Sequence, residues 1–153
     1  MGDELVVEID SDADLVSARA EARALAIRLG FSRTDTTLIA TAISEIARNI
    51  VVHAGQGRIT MRDVREDHRY GLVVVATDEG PGIRDIEAAL RRGHASRGGL
   101  GLGLPGARRL MDEFEVVCGA GRGTRVTMTK WRVRDELELL REKRRGTVVE
   151  RAV

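Results

Sequence analysis

Glu45 and Asn49 stand one helical turn apart in the stretch Ile43 to Asn49, ISEIARN, so a helix there carries both side chains on one face. The amide oxygen of Asn49 can ligate Mg²⁺ while that ion bridges phosphate oxygens, and the Glu45 carboxylate can orient or deprotonate an attacking hydroxyl. Farther along, Asp78-Glu79-Gly80-Pro81-Gly82 offers a second kind of chemistry. Asp78 can accept a hydrogen bond from the exocyclic amine of adenine, Gly80 and Gly82 let ligand and backbone approach closely, and Pro81 stiffens the turn. The run Gly98-Gly99-Leu100-Gly101-Leu102-Gly103-Leu104-Pro105 loses much backbone entropy on ordering, a cost that closure over a ligand would explain. A helix after Gly103 would point its first amides and its positive dipole end at phosphates, with Ser96 and Arg97 near enough in sequence to assist. Gly121-Arg122-Gly123-Thr124 allows another close backbone approach, and Thr124 brings a hydroxyl to the phosphate or adenine side.

Each piece also has a plain structural reading. Glu45 and Asn49 could be the polar edge of an amphipathic helix, with Arg48 pointing away into solvent. Asp78 to Gly82 and Gly121 to Thr124 could be ordinary turns, and the glycine run a mobile loop. GxxxxGK[ST] is absent, so a phosphate site here would rely on Asn49-bound Mg²⁺, glycine amides and a helix dipole. His53, His68 and His94 lack zinc-ligand spacing, and His53 reads as the finish of its helix.

The elements that must position these residues follow from periodicity. Leu5 to Ile9 reads as a first strand. Ser11 and Asp14 can form a capping box for a helix ending at Gly30, with Leu15, Ala18, Ala22, Leu25 and Leu29 inward. Ser32 and Asp35 repeat the pattern for a helix to about His53, whose inward stripe is Ile39, Ala42, Ile43, Ile46 and Ile50. Strands are expected around Arg58–Val64 and Tyr70–Thr77, the second an inner strand because Leu72 to Ala76 is apolar at successive positions. A short helix from Ile83 to Arg91, a helix around Leu104 to Met111, and strands at Phe114–Cys118 and Thr124–Trp131 follow. Together these make an α/β two-layer sandwich: a mixed, largely antiparallel sheet with helices on one face. Residues from about Arg132 to Arg145 form a charged segment with helical potential, carrying Leu137, Leu139 and Leu140. The tail after Gly146 has no evident packing role. We divide the chain into a domain at 1–132 and an extension at 133–153.

Composition narrows the function classes. The 153 residues suit one domain, and with 42% apolar but only 3% aromatic residues the core must be aliphatic, leaving few rings for stacking bases. Twenty-five Lys and Arg against 24 Asp and Glu argue for neither direct nucleic-acid binding nor a membrane surface. The single cysteine, Cys118, excludes an internal disulfide and reads as a buried thiol in an apolar run. With neither a signal peptide nor a membrane-length apolar run, the sequence reads as a cytoplasmic protein without membrane insertion.

Taken jointly and in this order, the motifs resemble the GHKL, or Bergerat-fold, ATP-binding superfamily, and within it the RsbT-type serine-protein kinases and related anti-sigma factor kinases. Glu45 to Asn49 resembles the family's first box, Asp78 to Gly82 the adenine box, Gly99, Gly101 and Gly103 the glycine lid, and Gly121 to Thr124 the last box. The strings ISEIARNIVVHAG and LGLGLPGARRLMDEFEV favour the RsbT-like branch. The resemblance spans about residues 4 to 132, and the extension after Arg132 departs from it. It implies ATP and Mg²⁺ as cofactors, with Asn49 as metal ligand, Glu45 as base, and Asp78, Gly80, Gly82, Gly99, Gly101, Gly103 and Thr124 at the nucleotide. It further implies γ-phosphoryl transfer to serine or threonine of a STAS-domain antagonist in stress-response partner switching, and activation of a PP2C-type phosphatase. Two other readings stay open: an anti-sigma factor kinase that binds a sigma factor directly, and a non-catalytic ATP-gated interaction module.

Overall fold

The computed structural model describes residues 4–82, 103–118 and 123–152. Its elements run β1 (Leu5–Ile9), α1 (Asp12–Arg28), α2 (Arg33–His53), β2 (Gly57–Arg65), β3 (Arg69–Asp78), α3 (Gly103–Leu110), β4 (Glu113–Cys118), β5 (Thr124–Val133) and α4 (Glu136–Ala152). The segment expected to be helical at 83–91 lies outside the described residues. The starts of α1 and α2 follow local chemistry. Asp14 accepts the amides of Asp10 and Ser11 at 2.9 and 3.1 Å, and Ser32 Oγ accepts the Asp35 amide at 3.0 Å.

Five strands form one sheet in the order β1-β2-β3-β5-β4, and every pairing is antiparallel. Met61, Val74 and Met128 share one rung, and Ile59, Ala76 and Val126 share another. All six are buried and merge with α1's Ala18, Ala22 and Leu25 and α2's entire expected stripe in a single aliphatic core. That core is what presses α2 onto the sheet and thereby orients Glu45 and Asn49. β3 lies centrally between β2 and β5, as its continuous apolar run requires.

Two sequence expectations are revised. Cys118 is half-buried rather than buried, because β4 falls at the sheet edge and alternates exposed and half-buried positions along its length. The C-terminal helix starts later and runs longer than expected: β5 extends to Val133, paired with Arg69, and α4 continues past Gly146 to Ala152. Among the described residues no helix is long and apolar enough to cross a membrane.

α4 is held to the domain by charge. Arg132 donates to both carboxylate oxygens of Glu138 at 2.8 and 2.7 Å and, through Nε, to the Leu29 carbonyl at 2.6 Å. Arg134 pairs with Glu142 and also donates to the Glu66 carbonyl. The bidentate hydrogen bond from Arg132 holds the Glu138 carboxyl at about 2, below its ordinary 4.5. A folded-state value lower than the unfolded one means the clasp stabilises fully above about pH 4.5 and is lost as pH falls towards 2. An NMR titration should therefore place the Glu138 midpoint near 2 in the wild type, moving towards 4.5 in Arg132→Ala. A wild-type midpoint near 4.5 would contradict the clasp.

Candidate nucleotide site

The site is assembled where the C-terminal end of α2 meets the ends of β2, β3 and β5. Gly80 donates its amide to Asp78 Oδ1 at 2.9 Å, closing a turn immediately after β3. A Cβ at Gly80 would stand 2.7 Å from Ala54 Cβ, so the missing side chain is what lets the end of α2 sit against this turn. A Cβ at Gly57, the residue opposite Asp78 in β2, would meet the Thr77 carbonyl at 2.5 Å and Ile50 Cγ2 at 2.8 Å. Asn49, one residue before Ile50, is thus carried to the same end of the sheet. On the other flank Thr124 is the register partner of Asp78 and only 8% exposed. Gly123 packs so closely that a Cβ would lie 2.0 Å from the Asp78 carbonyl oxygen.

One turn before Asn49, Glu45 is 4% exposed, and its Oε2 accepts the Gly103 amide at 3.0 Å. Gly103 opens α3, so the carboxylate lies at that helix's N-terminus, where a negative charge is favoured. Asn49 is half-buried, and its amide makes no hydrogen bond to any described residue. Arg48, expected in solvent, is half-buried too, and its Nε is buried with no partner among the described residues.

Two groups of expected site residues therefore come together. Glu45, Asn49 and Gly103 form one, and Asp78, Gly80 and Thr124 the other, with Ala54 and Ile50 joining them. Gly82 ends the first described segment at φ +80°. Gly99 and Gly101, with Ser96, Arg97, Gly98 and Gly121, lie outside the described residues. Sequence reasoning missed the packing of Ala54 and Gly57 against this end of the sheet. The signal for both was the need for small residues where a helix end crosses a strand end.

A cleft of about 480 Å³ adjoins Asp78 on the β1–β2 side, lined among others by Glu8, Asp10, Gln56, Arg58 and Glu79. Its four carboxylates, counting Asp78, face one arginine, and Arg58 is already paired with Glu8 at 2.8 Å. That potential repels a triphosphate and suits a hydrogen-bond-donating amine. The carboxamide of Asn49 and the N-terminus of α3 have the ligand and donor chemistry for a divalent cation and phosphates.

The model of the histidine kinase-like ATPase domain matches residues 10–130. The chain belongs to this family. Among curated relatives, the serine/threonine-protein kinase RsbT of Bacillus subtilis is 46% identical over 131 residues, covering 86% of this chain and 98% of that kinase. The anti-sigma F factor of Caldanaerobacter subterraneus subsp. tengcongensis is 35% identical over 122 residues, covering 74% of this chain and 82% of the relative. Among solved structures, the RsbU and RsbW domains of Rv1364c from Mycobacterium tuberculosis superpose with a TM-score of 0.55 at 24% identity, over 86% of this chain. The match takes in 32% of that longer chain and speaks to the fold alone. The family match and the α/β architecture agree with the GHKL-type fold expected from the motifs, and ATP is the nucleotide that the family's ATPase description implies.

Proposed function

We propose that this chain transfers the γ-phosphoryl group of ATP to a serine or threonine of a STAS-domain antagonist protein in a partner-switching pathway of the cytoplasm. Its class is that of an ATP-dependent serine/threonine-protein kinase, given the family and the near-complete coverage of RsbT. The single observation that carries the mechanism is the disposition of Glu45 and Asn49: a buried carboxylate at the N-terminus of α3, one helical turn from a half-buried carboxamide that has no hydrogen-bond partner among the described residues.

In this reading Asp78 receives the adenine amine on the carboxylate oxygen that Gly80 leaves unused, and Thr124 borders the same ring. Gly80 and Gly82 keep the backbone low beneath the base. Asn49 supplies an oxygen to Mg²⁺, which when bound neutralises charge on the transferring phosphoryl group. Pro105 lacks an N–H and Glu45 takes that of Gly103, so the amide of Leu104 remains at the head of α3 to meet phosphate oxygens. Gly99 and Gly101 precede this helix in the same glycine run and complete the phosphate cover. Glu45 accepts the proton of the acceptor hydroxyl. Residues 1–132 form the kinase domain, and 133–153 an extension tuning partner choice, including any PP2C-type phosphatase.

Incubation with ATP, Mg²⁺ and a cognate STAS-domain protein should yield phosphoserine or phosphothreonine on the acceptor. Asn49→Ala should abolish Mg²⁺-dependent transfer with the fold retained by circular dichroism; transfer at the wild-type rate would remove Asn49 as the metal ligand. Kinship with anti-sigma F factors favours a second reading, direct capture of a sigma factor. A pull-down against sigma, STAS and phosphatase candidates separates the two.

A further inference from the structure

Glu45 and Gly103 are 58 residues apart in sequence, yet the hydrogen bond between them is buried. Glu45 is the buried carboxylate of α2, held between Ser44 and Ile46 on a helix whose neighbouring apolar side chains are fixed in the core. Gly103 has φ +54°, a backbone conformation that suits glycine, and begins α3, whose Leu104 and Ala107 are buried in the same core. The first amides of a helix have no intrahelical partners, and a buried one left without an acceptor is costly. Glu45 supplies that acceptor.

We propose that Glu45 is a positioning residue for α3 as well as the base: Oε2 anchors the Gly103 amide and so fixes where the helix's phosphate-facing end stands, while Oε1 serves the acceptor hydroxyl. This rests on the kinase reading for the second duty only. The anchor itself involves only atoms of this chain. It couples the two steps that the sequence motifs treat as separate, because the group that receives the proton also sets the height of the phosphate-binding amides. Binding and transfer should both suffer when the carboxylate is deleted, and only transfer when the acceptor oxygen is kept.

Glutamine retains an oxygen for the Gly103 amide but is a poor base; alanine retains neither. Hydrogen exchange of residues 103–110 in nucleotide-free protein, together with ATP affinity, distinguishes them. Glu45→Gln should keep α3 protection and ATP affinity near wild type. Glu45→Ala should lose about tenfold or more in both, the scale of a buried amide deprived of its acceptor. Wild-type exchange and affinity in Glu45→Ala would overturn the anchor, as would equal losses in both variants. Intact transfer in Glu45→Gln with α3 deprotected in Glu45→Ala would reject the base and uphold the anchor. If Glu45→Ala does not fold, Glu45→Asp gives the same comparison, since its shorter side chain withdraws the acceptor while keeping the charge.

Discussion

Glu45→Gln is expected to slow phosphoryl transfer by about 10²–10⁴-fold, the usual contribution of a positioned general base, with no comparable change in ATP affinity. The expectation follows from burial and reach. At 4% exposure the carboxylate is shielded from bulk water, and one oxygen is already held by the Gly103 amide at 3.0 Å, which fixes the orientation of the other. Precise placement of this kind is what makes a carboxylate effective as an acceptor of the hydroxyl proton. Single-turnover transfer to a STAS-domain acceptor at saturating ATP is the measurement. A rate within a few-fold of wild type would mean that the phosphoryl group moves without a base at this position.

Gly123→Ala is expected to cost about 2–5 kcal/mol of stability and to abolish nucleotide binding in whatever protein remains folded, combining left-handed backbone strain with overpacking. The glycine has φ +83°, and an added Cβ would come within 2.0 Å of the Asp78 carbonyl oxygen and 3.0 Å of Glu79 Cα. Neither neighbour is a flexible side chain, so relief must come from moving the turn after β3 itself. Gly55→Ala is the matched control: its φ is +84°, but nothing lies within 4 Å of the added atom. It should show the backbone penalty alone, about 1–2 kcal/mol, with binding unchanged. Denaturant melts and ATP titrations of the two variants test this directly; similar losses in both would show that the contact with Asp78 is unimportant.

Much of this architecture was legible because it is written in short-range period. Ile39, Ala42, Ile43, Ile46 and Ile50 recur at helical spacing, and all five are buried. Leu72 to Ala76 has no polar break, which fits its central strand. What escaped depends on which distant segment lies alongside. The apolar run ending at Cys118 says nothing about whether its strand is central or at the edge, and the crossing order β3-β5-β4 puts it at the edge. Val133 lies in a charged stretch that resembles the start of a helix, but its backbone pairs with Arg69 and so continues β5. The candidate site divides the same way. Residue types and spacing pointed to Glu45, Asn49 and Asp78, whereas the Glu45–Gly103 bond and the contacts of Gly80 with Ala54 and of Gly123 with Asp78 join residues 26 to 58 positions apart or meet across the sheet.

The α2 pair and the turn after β3 are proposed to serve one adenine nucleotide. Isothermal titration of ATP with Mg²⁺ into the wild type and Asp78→Asn tests this most directly. One saturable site is expected in the wild type, weakened by about 10–150-fold in Asp78→Asn, where an amide donor replaces a charged acceptor facing the adenine amine. No saturable binding in the folded wild type, or equal affinity in the two proteins, would contradict the account.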